Sequence, residues 1–165
     1  MNNKYVKYVR YVDNKSFVDD ADKLEIVADA ENMPAKEKSG FKNISYELAR
    51  EASVELVKLC RKIFDENKDF TFLAPMVNQV TRSSSSVVAN IAEVSNRNIT
   101  AKHKFYKLNI ALSECYETIS WVEMLFEQEY FNEEEYTNFR KKYFTIAKIL
   151  GKGVGTLKKE LSKQK

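Results

Sequence analysis

The sequence predicts an all-α protein, an antiparallel up-down-up-down four-helix bundle with an extended N-terminal arm. Three observations carry that reading. Only 4 Gly and 2 Pro occur in 165 residues, while Lys, Glu, Leu, Ala and Ser are plentiful, which favours long helices over a turn-rich β fold. From Phe41 onward the apolar residues recur at alternating spacings of three and four in four separate stretches. The stretches are joined by short segments, and four amphipathic helices on short loops pack most simply as an antiparallel bundle. Residues 1–40 form the arm and 41–165 the bundle, a length able to bury one sizeable core.

The first helix is expected from Ser45, a suitable N-cap, to Asn67, with Leu48, Ala52, Leu56, Leu59 and Ile63 on one face. The second starts near Pro75, since proline suits a helix's first turn, and aligns Val77, Val80, Ser84, Val87, Ile91 and Val94. The third is entered through Thr100 and carries Phe105, Leu108, Leu112, Cys115, Ile119, Val122 and Phe126. The fourth opens on Asn132, where Glu135 can close a capping box and three acids favour the positive helix end. Its stripe is Phe139, Tyr143, Ile146, Leu150, Val154, Leu157 and Leu161.

The arm reads differently. "KYVKYVRYV" repeats every three residues, a period that fits neither strand nor helix. Tyr5, Tyr8 and Tyr11 alternate with Lys4, Lys7 and Arg10, a combination able to stack on bases and neutralise phosphates. The same residues also suit an extended arm that folds onto its own bundle or a neighbouring subunit. Asp20 to Asn32 allows a short helix using Leu24 and Val27, followed by a linker at "MPAKEKSG".

Charge is unevenly spread around a net +3. Residues 13–40 hold eight acids against four lysines, whereas residues 136–165 hold nine basic residues and one acid, Glu160. An anionic partner for the C-terminal end is the physical implication. Lys141, Lys148, Lys152, Lys159 and Lys163 follow spacings of seven, four, seven and four, which aligns them along ~33 Å of the fourth helix. Such a row can track RNA or DNA phosphates, or it can be a solvated lysine face.

Two further faces lie away from the apolar stripes. On the second helix Arg82, Ser86, Asn90, Glu93 and Arg97 fall within about 80° of arc and form a polar ladder. On the third, Tyr106, Ile110, Trp121, Met124 and Leu125, with Glu117 among them, make a second apolar side. A monomer would expose that side, so a homo-oligomer that buries it is expected; the alternative is that the N-terminal arm folds back over it. The four serines Ser83 to Ser86 sweep all the way round the second helix: Ser84 enters the seam and Ser86 joins the ladder.

Catalytic chemistry is sparse. His103 is the single histidine and has no cysteine cluster beside it, so no metal site, no cofactor and no His-dependent triad is expected. "GKGVGTLKK" lacks the spacing of a phosphate loop, and its glycines point to close helix approach or a kink. Cys60 and Cys115 sit on apolar faces and are expected as buried, reduced thiols. The chain has no uncharged apolar run long enough for a membrane span and no signal-peptide pattern, which implies a cytoplasmic protein that is not an enzyme.

Finally, "QVTRSSSSVVANIAEVSNR", Gln79 to Arg97, resembles the Q-x-x-R-S-x-x-S-x-x-x-N-I-A-E-G-x-x-R signature of bacterial four-helix-bundle proteins related to the 23S rRNA intervening-sequence protein. "KFYKLNIALSECYE" and "ILGKGVGTLKKEL" are similar to its third-helix and C-terminal stretches. The resemblance covers about residues 41–165 and implies a bundle that assembles into rings, often pentamers. Through a related bundle, the accessory protein of diversity-generating retroelements, it also implies a reverse transcriptase and nucleic acid as partners. Val94 replaces the usual Gly and suggests that the second helix runs on; Glu114 replaces a small residue and places a charge on the outer face of the third. The function expected is a non-enzymatic, nucleic-acid-associated adaptor. The alternative is a protein-binding scaffold without direct nucleic-acid contact.

Overall fold

In the computed structural model, which describes residues 40–67, 70–95 and 98–163, the apolar stripes close on one another in four helices. They are α1 (Gly40–Glu66), α2 (Phe70–Val94), α3 (Ala101–Glu127) and α4 (Glu133–Ser162). No strand occurs among the described residues. The N-terminal tyrosines, the Asp20–Asn32 stretch and Arg97 lie outside them.

Each helix packs on its sequence neighbours, and α4 returns against α1. The antiparallel sense is visible in the side-chain register. Between α2 and α3, Ser83 meets Thr118 while Glu93 meets Lys107, so one chain direction rises as the other falls. Between α1 and α4, Lys142 bonds Glu55. Leu56, Leu73, Ile91, Leu125, Ile146 and Leu150 are fully enclosed at the centre. Each such side chain contributes roughly 1.5–3 kcal/mol by leaving water.

Local signals set the helix ends where side chains can act on them. Thr100 caps α3, its hydroxyl accepting from the His103 N–H at 3.2 Å. Asn132 caps α4 in a complete box: its Oδ1 accepts from the Glu135 N–H and Glu135 Oε2 accepts from the Asn132 N–H, both at 2.9 Å. At the end of α3 the Tyr130 N–H reaches Leu125 O and the Glu129 N–H reaches Phe126 O, both at 2.9 Å. This is a Schellman closure, with Glu129 at φ 62 where glycine is usual.

Tertiary packing moves three boundaries. Ser45 is not a cap: α1 starts at Gly40 and Ser45 is buried inside it. The second helix begins at Phe70 rather than Pro75, because Leu73 and Met76 gain core contacts that only a helical turn can place. Pro75 therefore sits within the helix on its exposed side, where the Thr71 carbonyl that loses its N–H partner can meet solvent. Nor does α2 run on past Val94, which is its last residue. Of the glycines of α4, Gly151 and Gly155 do not mark a close helix approach, since a Cβ on either would meet nothing within 4 Å.

At mid-bundle every helix contributes a buried hydroxyl. Thr118 of α3 lies 2.8 Å from both Ser83 Oγ of α2 and its own Glu114 carbonyl. Its one proton serves one of these at a time, and the Ser83 proton, otherwise donated to Val80 O at 3.3 Å, can complete the other. Ser53 of α1 donates to Ser84 Oγ at 3.3 Å, and Ser84 donates to Thr81 O at 3.0 Å. The Tyr143 hydroxyl of α4 is buried at the same level without a hydrogen-bond partner among the described residues. Four serines in a row thus supply two core hydroxyls, Ser83 and Ser84.

That layer gives the first prediction. Thr118→Val keeps shape but leaves Ser83 without its cross-helix partner, and should cost about 1 kcal/mol in urea unfolding. Tyr143→Phe removes a hydroxyl that has no partner in hydrogen-bonding geometry among the described residues, and should leave the midpoint unchanged or raised. A larger loss for Tyr143→Phe than for Thr118→Val would contradict the assignment.

Candidate functional site

Two surfaces away from the core gather the residues singled out by pattern. The first is on α4. Lys141, Lys152, Lys159 and Lys163 are exposed and Lys148 is half-buried, all within about 60° of one another around the helix at 100° per residue. Lys163 is the C-cap, so the row runs off the end of α4. Two other lysines of the bundle are held in contacts between side chains. Lys142, one step round α4, bonds Glu55 and lies over the Phe139 ring, and Lys107 bonds Glu93. No acidic partner is found among the described residues for Lys141, Lys152, Lys159 or Lys163.

The second surface runs along the α2/α3 groove. From α2 come Arg82, Ser86, Asn90 and Glu93; from α3 come Tyr106, Ile110, Glu117, Trp121 and Met124. The ladder is partly built as expected: Asn90 Nδ2 donates to Ser86 O at 2.9 Å and to Ser86 Oγ at 3.2 Å. Asn90 itself is not on the open face, being only 8% exposed. Glu93 takes Lys107 of α3 at 2.8 Å, a partner invisible to a within-helix reading. Arg82 is exposed.

On α3 the largest correction concerns Leu125. It is 0% exposed and belongs to the core, as do Leu108, Ala111, Cys115, Thr118, Ile119 and Val122. Phe105, Leu112 and Phe126, read as seam, are only half-buried. The buried stripe is therefore turned by roughly 50° from the one that apolarity alone suggests. The reason is Thr118, a polar residue that the pattern skips and that the Ser83 hydroxyl holds inside. What stays outside is smaller: Tyr106 is 61% and Met124 40% exposed, while Ile110 and Trp121 are half-buried. Trp121 Nε1–H donates to Glu117 Oε1 at 3.4 Å.

Sequence reasoning missed Phe72, 70% exposed, which falls on the same side of α2 as Ser83, Ser86 and Asn90. The signal was present as an aromatic in "DFTFLAP", but it needed the earlier helix start to be placed. Glu114 is also not an outer-face charge. It is half-buried, and its Oε2 is shut off from solvent with no hydrogen-bond partner among the described residues.

Titratable groups in the interior are held neutral. Burial pushes the Cys60 thiol up to about 12. Cys115 is raised further by burial and then by the nearby Glu114 charge. The Tyr143 phenol is raised mainly by burial and next by Cys115; Ser84 and Ser53 pull the other way, although neither stands in hydrogen-bonding geometry. Among the described residues no group of three or more His, Cys, Asp and Glu side chains could hold a metal ion, and no helix is long and apolar enough to cross a membrane.

Residues 41–152 match the family described as 23S rRNA-intervening sequence protein. The chain belongs to that family. Among solved structures it is similar to a protein of unknown function from the S23 ribosomal protein family of Bacteroides thetaiotaomicron. The two share 32% identity at a TM-score of 0.63, over 70% of this chain and 99% of the other. No curated protein is similar to it. The match spans α2 and α3 whole and runs into α4 as far as Lys152, leaving the last lysines of the row beyond it.

The thiols generate the second prediction. At pH 8 neither Cys60 nor Cys115 should react with a disulfide reagent until denaturant is added, because both are free, buried and protonated. Above the ordinary thiol value of 9.0 the unfolded chain releases protons that the folded chain retains. Stability should then fall as pH rises from about 9 toward 12, and the loss should shrink in Cys60→Ala. Rapid labelling of the native protein would refute this.

Proposed function

We propose that the chain is a non-enzymatic cytoplasmic adaptor that assembles with copies of itself and binds nucleic acid along the lysine face of α4. The observation that carries this reading is the alignment of lysines on one face of α4. Lys141, Lys152, Lys159 and Lys163 stand exposed in one line without an acidic partner among the described residues, whereas Lys107 and Lys142 are paired with acids. A row of cations along one helix is a match for a phosphate backbone, and binding releases the counterions condensed on it. Membership in a family tied by name to intervening sequences of 23S rRNA supports RNA as the first probe. A reverse transcriptase, the partner that the resemblance to retroelement accessory proteins implies, is the protein partner proposed.

Assembly is supported by a separate observation. Phe72, Tyr106 and Met124 are large apolar side chains left in water on the α2/α3 side, next to the half-buried Ile110 and Trp121. A second copy is the occupant proposed, in a ring of the pentameric kind that the resemblance implies. The same surface also favours the second reading, a protein-binding scaffold without nucleic-acid contact.

Charge reversal of Lys148, Lys152 and Lys159 together should abolish binding of RNA and DNA in a filter or anisotropy assay while the helical circular dichroism signal is retained. For the unaltered protein, log K should fall with log salt by roughly 0.7–0.9 per phosphate neutralised. Salt-insensitive binding, or none, would defeat the nucleic-acid reading. For assembly, Tyr106→Lys with Met124→Lys should reduce the mass measured by light scattering to that of a monomer. An unaltered protein that is already monomeric would remove the self-assembly half, and co-purification of a protein after nuclease treatment would favour the scaffold.

A further inference from the structure

One end of the bundle carries a pocket of about 450 Å³ that neither the lysine row nor the α2/α3 surface accounts for. Its size falls in the range of about 300–1,000 Å³ typical of small-ligand sites. Val94, Ala101, Leu108 and Leu157 give it apolar walls, and Gly153 lies in the wall on α4. Lys104, Lys152, Thr156 and Glu160 supply its polar groups.

We propose that this pocket receives one unstacked base of a single-stranded nucleic acid, with preference for a base that carries an exocyclic amino group. The inference rests on the nucleic-acid reading above and adds the form of the ligand. Lys152 belongs to both the row and the pocket, so a strand following the row passes the opening. Aliphatic walls can sandwich the flat face of a base, and the two lysines meet the flanking phosphates. The remaining polar groups are acceptors. The Thr156 hydroxyl proton is spent on the Lys152 carbonyl at 3.1 Å, which leaves its lone pairs to accept. Glu160 is the one acid among residues 136–165, and it stands at this pocket rather than elsewhere in a basic stretch. A carboxylate there repels phosphate but accepts from the amino group of cytosine or adenine. Bases in a duplex are stacked and paired, so they cannot enter.

The test uses fluorescence anisotropy with the full-length protein and labelled oligonucleotides of about 12 nucleotides, within the span that single-strand sites cover. The probes are oligocytidylate, oligouridylate and a matched duplex. Oligocytidylate should bind more tightly than oligouridylate. Gly153→Met, which adds a long side chain at the pocket's wall, should weaken oligocytidylate on the order of tenfold, as expected for losing one base's contacts, and leave the duplex unchanged. Glu160→Gln should bring the cytidylate-to-uridylate ratio close to one, because an amide donates as well as accepts. Equal, salt-dependent binding of all three probes that neither variant alters would overturn the pocket assignment and leave the lysine row standing. No binding of any probe would overturn both. Should Gly153→Met unfold, the ratio in Glu160→Gln still decides.

Discussion

The bond between the hydroxyls of Thr118 and Ser83 is the contact on which the arrangement of this bundle depends. A hydroxyl taken from water into an apolar core is costly unless it is hydrogen-bonded. Leucine and valine stripes, by contrast, tolerate sliding by a heptad or turning by a fraction of a residue. At mid-bundle Ser53, Ser83, Ser84 and Thr118 pair with one another or with a carbonyl of the preceding turn. Only this register of α2 against α3 brings the Thr118 and Ser83 hydroxyls together; in another, each would keep only the carbonyl of its own preceding turn, Glu114 or Val80. The layer therefore contributes less to stability than to the choice of one packing among several apolar alternatives.

Much of the surface follows from that choice. With Thr118 turned inward, Leu125 follows it into the core and Tyr106 and Met124 are left outside. Lys107 comes opposite Glu93, where its side chain is only 19% exposed, and the Glu114 carboxylate is drawn partly below the surface beside the Cys115 thiol. The α2/α3 surface is thus a by-product of core hydroxyl chemistry. Its mixture of exposed aromatics and a polar ladder suits protein contact better than it suits phosphate.

The lysine face of α4 has a different origin. The buried stripe of α4 ends at Leu150, and Val154, Leu157 and Leu161 are only half-buried. Beyond that point the helix is held chiefly from one side, which leaves an arc of its circumference for charge and opens the pocket over Leu108 and Leu157. In the bundle α2 and α4 each pack on α1 and α3 rather than chiefly on each other.

How much of this was legible in the chain depends on the range of the forces involved. The sequence by itself determined the four helices, the caps at Thr100 and Asn132, the buried thiols and the lysine row, because each is fixed by periodicity or by groups within one helical turn. Tertiary structure alone decided the early starts at Gly40 and Phe70, since Ser45 and Leu73 are held helical by burial against other helices. It also decided the roughly 50° turn of α3, the inward place of Leu125 and Asn90, the pairing of Glu93 with Lys107 and the existence of the end pocket. Each of these rests on a partner tens of residues away, as Thr118 rests on Ser83, and spacing within one helix carries no record of which residue will stand opposite.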